Sequence, residues 1–185
     1  MAKSSKSPYA ILGMLALLKK SSGYDLKKHM AASTEYFWKE TYSSIYPVLE
    51  SLEKQRLIEK VTTTRTSDRK RNVYALTPQG HAIFKEWLQQ PAESMQLRNE
   101  LLLKLFFGGM MPPEMSIKQL EQQKKELKSK LATYQEIKKE LEALDTQESL
   151  YSLLTLDHGI RLTSCSLDWC DNAIKTLIKL DRQRH

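Results

Sequence analysis

Cysteine is nearly missing from this 185-residue chain: Cys165 and Cys170 are the only two. That excludes a disulfide-dense secreted scaffold. Five residues apart and with no Cys-x-x-Cys, they also make a poor metal site. They read as two reduced thiols in a cytosolic helix. Glycine and proline, six of each, are too few for a collagen-like or low-complexity chain. No apolar run approaches the ~20 residues that span a bilayer, so no membrane partner is expected. The glycine patterns that cradle phosphates, Gly-x-Gly-x-x-Gly and the Walker loop, do not occur. The four histidines, at 29, 81, 158 and 185, are scattered. His158 lies near Asp157 and Cys165 with no orienting group. The expectation is therefore a cytoplasmic non-enzyme with no catalytic residues, metal or cofactor.

What is present suits a globular protein of one domain or two small ones. Charged residues make up 28% and apolar residues 41%, too apolar for a disordered chain. Lys3 and Lys6 followed by the apolar stretch from Tyr9 to Leu18 imitate a signal peptide. The stretch then meets Lys19 and Lys20, and a first core helix accounts for the same residues.

Charge is unevenly spread. Residues 1–90 carry 15 Lys/Arg and 8 Asp/Glu, while residues 91–185 carry 14 of each, so the whole net charge of +7 lies in the first half. A basic half joined to a neutral one suggests that one part faces a polyanion.

The basic half reads as three helices, a hairpin and a helix. Helix one spans roughly 8–20, and Ser21-Ser22-Gly23 ends it and caps a second helix from Tyr24 to Ala32. A third, from Ser43 or Ser44 to Arg56, turns Ile45, Leu49 and Leu52 inward. Proline loses little in a first turn, so Pro47 is placed there and Ser44 becomes the candidate N-cap. That turn presents hydroxyls and free N–H groups at a positive dipole end, which suits phosphate oxygens. The β-branched run 57–64 and Asn72–Leu76 read as paired strands, with Arg65, Arg69, Lys70 and Arg71 at the tip. A short third helix followed by a cationic hairpin is a winged helix-turn-helix. The candidate DNA contacts are Lys39, Thr41, Tyr42, Ser43, Ser44, Tyr46, Pro47, Arg65, Arg69, Lys70 and Arg71, with Lys3 and Lys6 as added phosphate contacts. Thr77-Pro78 opens a further helix, and the domain boundary falls at Pro91: 1–91 binds DNA and 92–185 is helical.

Ile11-Leu12-Gly13, Ser22-Gly23-Tyr24-Asp25-Leu26, Phe37-Trp38, Ser44-Ile45-Tyr46-Pro47-Val48-Leu49, Leu52-Glu53, Leu57-Ile58, Tyr74-Ala75-Leu76-Thr77-Pro78-Gln79-Gly80 and Trp87-Leu88 resemble the PadR family of bacterial transcriptional regulators. The resemblance runs in order over residues 9–88. It implies a winged-helix DNA-binding domain and a homodimer, usually a repressor released by a small molecule. The family often has Gly-Arg before its basic tip, where Ser67-Asp68-Arg69 stands here.

The second half is built for pairing. Leu97–Phe107 reads as an apolar helix ending at Gly108-Gly109. Glu114–Leu144 has neither Gly nor Pro and is ~46 Å long as helix. Leu120, Leu127, Tyr134 and Leu141 recur every seven residues, with Ile117 and Leu131 on the partner position, which Lys124 and Lys138 interrupt. That imperfect seam argues for helix-on-helix packing over part of the length. A last helix, Gln147–Asp181, holds Gly159, which is expected to mark either the close approach of another helix or a local break. These faces predict a homodimer through Leu120, Leu127, Leu131, Gly159, Ile160, Leu167, Ile174 and Leu177. The fold class is mainly α with a small β-hairpin: a winged helix-turn-helix plus a long-helix dimerisation domain, as in longer PadR members. A twofold dimer matches a palindromic double-stranded operator with half-sites about 34 Å apart. Trp169, Phe106 and Tyr151 are candidates to line a pocket for a small aromatic or apolar effector, and packing of the dimer core accounts for the same residues. The competing reading is a protein-interaction adaptor with a merely structural winged helix, which has no use for the +7 in residues 1–90.

Overall fold

The computed structural model describes residues 5–61, 72–94 and 97–182. They form two units, residues 1–94 and 95–185. In the first, α1 (Ser7–Leu18) carries Ile11, Leu12 and Leu15, each at most 1% exposed. Strand β1 (Lys20–Ser22) follows at once. Ser22 then caps α2 (Gly23–Ser33), its Oγ accepting the Asp25 N–H at 3.2 Å. Helix α3 spans Tyr42–Lys54, β2 Ile58–Val61, β3 Val73–Leu76 and α4 Pro78–Gln89. Leu26, Met30, Ile45, Leu49, Leu52, Ile58 and Tyr74 complete one core with α1. The stripe expected on α3 is the buried one.

The sheet has three antiparallel strands in the order β1-β3-β2, with Tyr74 opposite Ser21 on one side and Lys60 on the other. The expected hairpin is therefore two-thirds of the sheet. Ser21 and Ser22 do more than break a helix, since they supply an edge strand.

A three-residue interval joins α3 to β2. Arg56 takes a left-handed φ of 58°. Its N–H donates to the Glu53 carbonyl at 2.9 Å, and the Leu57 N–H to the Leu52 carbonyl at 3.0 Å. This pair of bonds is the Schellman stop, and buried Leu52 and Leu57 supply its apolar contact. Thr77 ties the same corner to α4. Its N–H donates to the Leu57 carbonyl (3.1 Å), its hydroxyl donates to the Arg56 carbonyl (2.8 Å), and its Oγ1 accepts the Gly80 N–H (3.1 Å).

In the second unit Asn99 caps the short α5 (Glu100–Phe106), so this helix begins three residues later than its apolar sequence suggested. A 3₁₀ turn, Gly108–Met110, leads to α6 (Pro113–Glu142) and α7 (Gln147–Arg182). These two are antiparallel: early α6 meets late α7, with Leu120 and Cys170 fully buried and Ile174 beside them. The lysine that interrupts the seam is accommodated, because Lys124 Nζ reaches Asp171 Oδ1 at 2.6 Å. Burial pushes the Cys170 thiol up, so it stays protonated. A Cβ at Gly159 would lie 3.0 Å from the Tyr134 ring. The close approach expected there comes from a ring of α6 in the same chain. Among the described residues no helix is long and apolar enough to cross a membrane.

Candidate nucleic-acid interface

The start of α3 is organised by its own side chains. Thr41, with extended backbone, is the N-cap, and its Oγ1 accepts the Ser44 N–H at 3.2 Å. Ser44 answers from the third helical position, its Oγ accepting the Thr41 N–H at 3.0 Å, a reciprocal capping box. Two expectations are corrected. The N-cap is Thr41 and not Ser44, and Pro47 lies in the second turn, at the sixth helical position. There a proline does lose a bond, the one that would have ended on the Ser43 carbonyl. The compact hydroxyl cap explains the shift: it begins the helix three residues before Ser44 would have done.

Ile45 and Leu49 point into the core, which leaves Tyr42, Ser43, Tyr46 and Pro47 on the outer face, all exposed. Tyr24, from α2, stands with them, its ring centroid 6.3 Å from that of Tyr42 and nearly parallel. Tyr46 lies over Gly23, where a Cβ would come within 2.8 Å of its ring. Close contact between α2 and α3 thus sets where the Tyr46 ring stands. Tyr24 was absent from the residues chosen by sequence pattern, because nothing local distinguishes it; only the α2–α3 packing brings it alongside. Lys39 is exposed and 3.6 Å from Glu35. Arg65, Arg69, Lys70, Arg71 and Lys3 lie outside the described residues. The face combines hydroxyls, rings and a helix N-terminus, which suits base edges and phosphates.

The other chosen residues separate. Leu120 and Ile174 are covered by their own chain, Leu127 and Leu177 pack against them, and Gly159 is covered by Tyr134. As placed, Leu120 and Ile174 offer no surface to a second copy, because α7 of the same chain satisfies the seam. Leu131, Ile160 and Leu167 are half-buried. The outer surface of this unit instead shows Leu102, Leu103, Phe107, Leu150, Leu154 and Leu162. Phe106, Tyr151 and Trp169 are also exposed. Tyr151 and Trp169 are eighteen residues apart on one helix, ~27 Å, so a single chain does not gather these three around one ligand. An open groove of about 860 Å³ lies instead between α5 and α6, lined by Arg98, Leu101, Lys104, Met115, Lys118 and Gln122 among others.

Four helices around a three-stranded antiparallel sheet, in a chain that also carries a long antiparallel helix pair, form a winged helix-turn-helix fold. Residues 11–86 match the model of the transcriptional regulator PadR-like family, and residues 97–177 that of the virulence activator alpha C-terminal domain. The first unit thus carries a PadR-like domain, and the chain as a whole is similar to PadR-type transcriptional regulators. It is 28% identical to the probable transcriptional regulator Rv1176c of Mycobacterium tuberculosis, over 92% of this chain and 96% of that one. Bacillus subtilis PadR in complex with operator DNA shares the fold, with a TM-score of 0.86 and 23% identity over 95% of this chain and 99% of that one. A structure of that protein with p-coumaric acid matches with a TM-score of 0.77, at 23% identity over 92% and 97%. The Vibrio cholerae virulence activator AphA matches with a TM-score of 0.77, at 26% identity over 94% and 98%.

Proposed function

We propose that this protein is a homodimeric, sequence-specific operator-binding repressor of the cytoplasm, without catalytic activity, released by a small aromatic or apolar effector. The observation that carries the reading is the outer face of α3. Tyr42, Ser43, Tyr46 and Pro47 are exposed over the first two turns of α3, and the segment between β2 and β3 contains four basic residues in the sequence. Helix α3 reads the major groove, and Arg65, Arg69, Lys70 and Arg71 hold the flanking backbone. The exposed leucines and aromatics of α5 and α7 support pairing with a second copy, since a monomer leaves them in water. The inward stripe of α6 is already used, so the pairing surface moves to these outward residues. The effector part rests on the p-coumaric acid complex of B. subtilis PadR; Phe106, Tyr151 and Trp169 would enclose a ligand only between protomers.

The test is a gel shift of the full chain on the DNA upstream of its own gene, with and without candidate aromatic acids, beside a chain ended after Pro91. A dimer that retards this DNA at lower concentration than random duplex, with release by one acid, is expected. The shortened chain is then monomeric and binds far more weakly. A full chain that stays monomeric at micromolar concentration and ignores DNA in dilute buffer overturns the reading.

A further inference from the structure

A carboxylate sits directly behind the proposed reading surface. Glu40 precedes the N-cap of α3, yet it is only 5% exposed. Burying a charge is costly unless hydrogen bonds replace the lost water. Here two come from different places in the chain: Trp38 Nε1 donates to Oε1 at 2.9 Å from the aromatic linker and Ser44 Oγ donates to Oε2 from α3. The Ser7 hydroxyl, from the first residue of α1, also favours the charged form. Burial pushes the carboxyl up, but the hydrogen bonds from Ser44, Ser7 and Trp38 outweigh it and hold it below the ordinary carboxylate range. The group is ionised at neutral pH.

Ser44 is the consequence. Its hydroxyl has one proton, and the two best-placed acceptors for it are the Glu40 carboxylate and the Thr41 carbonyl (2.9 Å), both within the protein. Its oxygen also accepts the Thr41 N–H. A side chain so occupied has nothing left to donate to a base. The neighbouring Ser43 differs, since it is exposed and its hydroxyl meets only another hydroxyl, Thr41 Oγ1, at 2.8 Å among the described residues.

We propose that Glu40 is a positioning residue for DNA reading. It locks Ser44, and with it the first turn of α3, against α1 and the Trp38 linker, and so withdraws Ser44 from base contact and leaves Tyr42, Ser43 and Tyr46 as the reading set. This rests on the DNA-binding reading above. Raw affinity does not explain the residue, because a negative charge at this helix start repels phosphate. Selectivity does.

The experiment uses the full chain and two duplexes, one selected by the wild-type protein from a random-sequence pool and one unselected. Glu40→Ala and Ser44→Ala should each reduce the affinity ratio between them about tenfold, and the double variant should do no worse than Glu40→Ala alone, as members of one network do. Glu40→Gln keeps size and an acceptor but removes the charge; it should bind the unselected duplex at least as tightly as wild type while losing selectivity. Independent, additive losses from the two alanines would mean that Ser44 reads DNA by itself and would overturn the proposal. So would a lowered melting temperature with an unchanged ratio, the signature of a purely structural carboxylate. Amide exchange in the free protein supplies a readout without DNA: Glu40→Ala and Glu40→Gln should speed exchange at Thr41 and Ser44 and leave α7 unaltered. Unchanged exchange there removes the role of Glu40, whereas a wild-type chain that selects no duplex removes the DNA-binding reading itself.

Discussion

Replacing Gly80 by Ala sets two rules against each other. Gly80 is the third residue of α4. Alanine is normally the better helix residue, by about 0.5–1 kcal/mol. The tertiary environment forbids it. A Cβ at Gly80 would stand 2.0 Å from the Leu57 carbonyl oxygen, 3.0 Å from its carbon and 2.9 Å from Leu76 Cδ2. Non-bonded carbons prefer about 3.5–4.0 Å, so the α4 backbone must retreat from the corner by more than ~1 Å. Overpacking of this kind costs about 1–3 kcal/mol. The same carbonyl accepts the Thr77 N–H, and loosening that bond adds about 0.5–1.5 kcal/mol. Against the gain in propensity the net loss is about 2 kcal/mol. For a unit of under 100 residues that lowers the melting temperature by roughly 8–16 °C. Thermal melting followed by circular dichroism measures it. A melting temperature equal to or above that of wild type would mean that helix propensity wins, and would refute the account of this corner. Because the Leu57 carbonyl joins the end of α3 to α4 at the foot of the hairpin, the variant should also bind DNA more weakly while still folded.

Two further outcomes are expected. Arg56 is exposed at a left-handed φ that costs an ordinary residue about 1–2 kcal/mol and glycine little. Arg56→Gly should therefore raise the melting temperature by several degrees, and a fall would point to a compensating role for the arginine side chain. Replacing Arg69, Lys70 and Arg71 together by Ala should weaken binding to every sequence and flatten the salt dependence by about 0.9 for each phosphate no longer neutralised, measured by titration at several salt concentrations; an unchanged slope would place that segment outside the interface.

Much of this protein was written in short stretches of its sequence. Thr77-Pro78 announced α4, and the spacing of Ile45, Leu49 and Leu52 announced the buried face of α3, because capping and helical periodicity involve residues within a turn or two of one another. Lys20–Ser22 carries no strand signal of its own and becomes β1 only because β3 offers it a free edge. Glu40 looks like an ordinary surface acid until Ser7, Trp38 and Ser44 converge on it, and Tyr24 joins the outer face only through the packing of α2 on α3. The heptads of α6 likewise declared an apolar stripe without naming what covers it. The chain reverses after Glu142 and lays α7 along that stripe, so surface that periodicity alone offered to a second molecule is covered from within. Hydrogen bonds and caps near in sequence are set by neighbours, whereas the partner of an apolar face is set by whichever segment the folded chain brings against it.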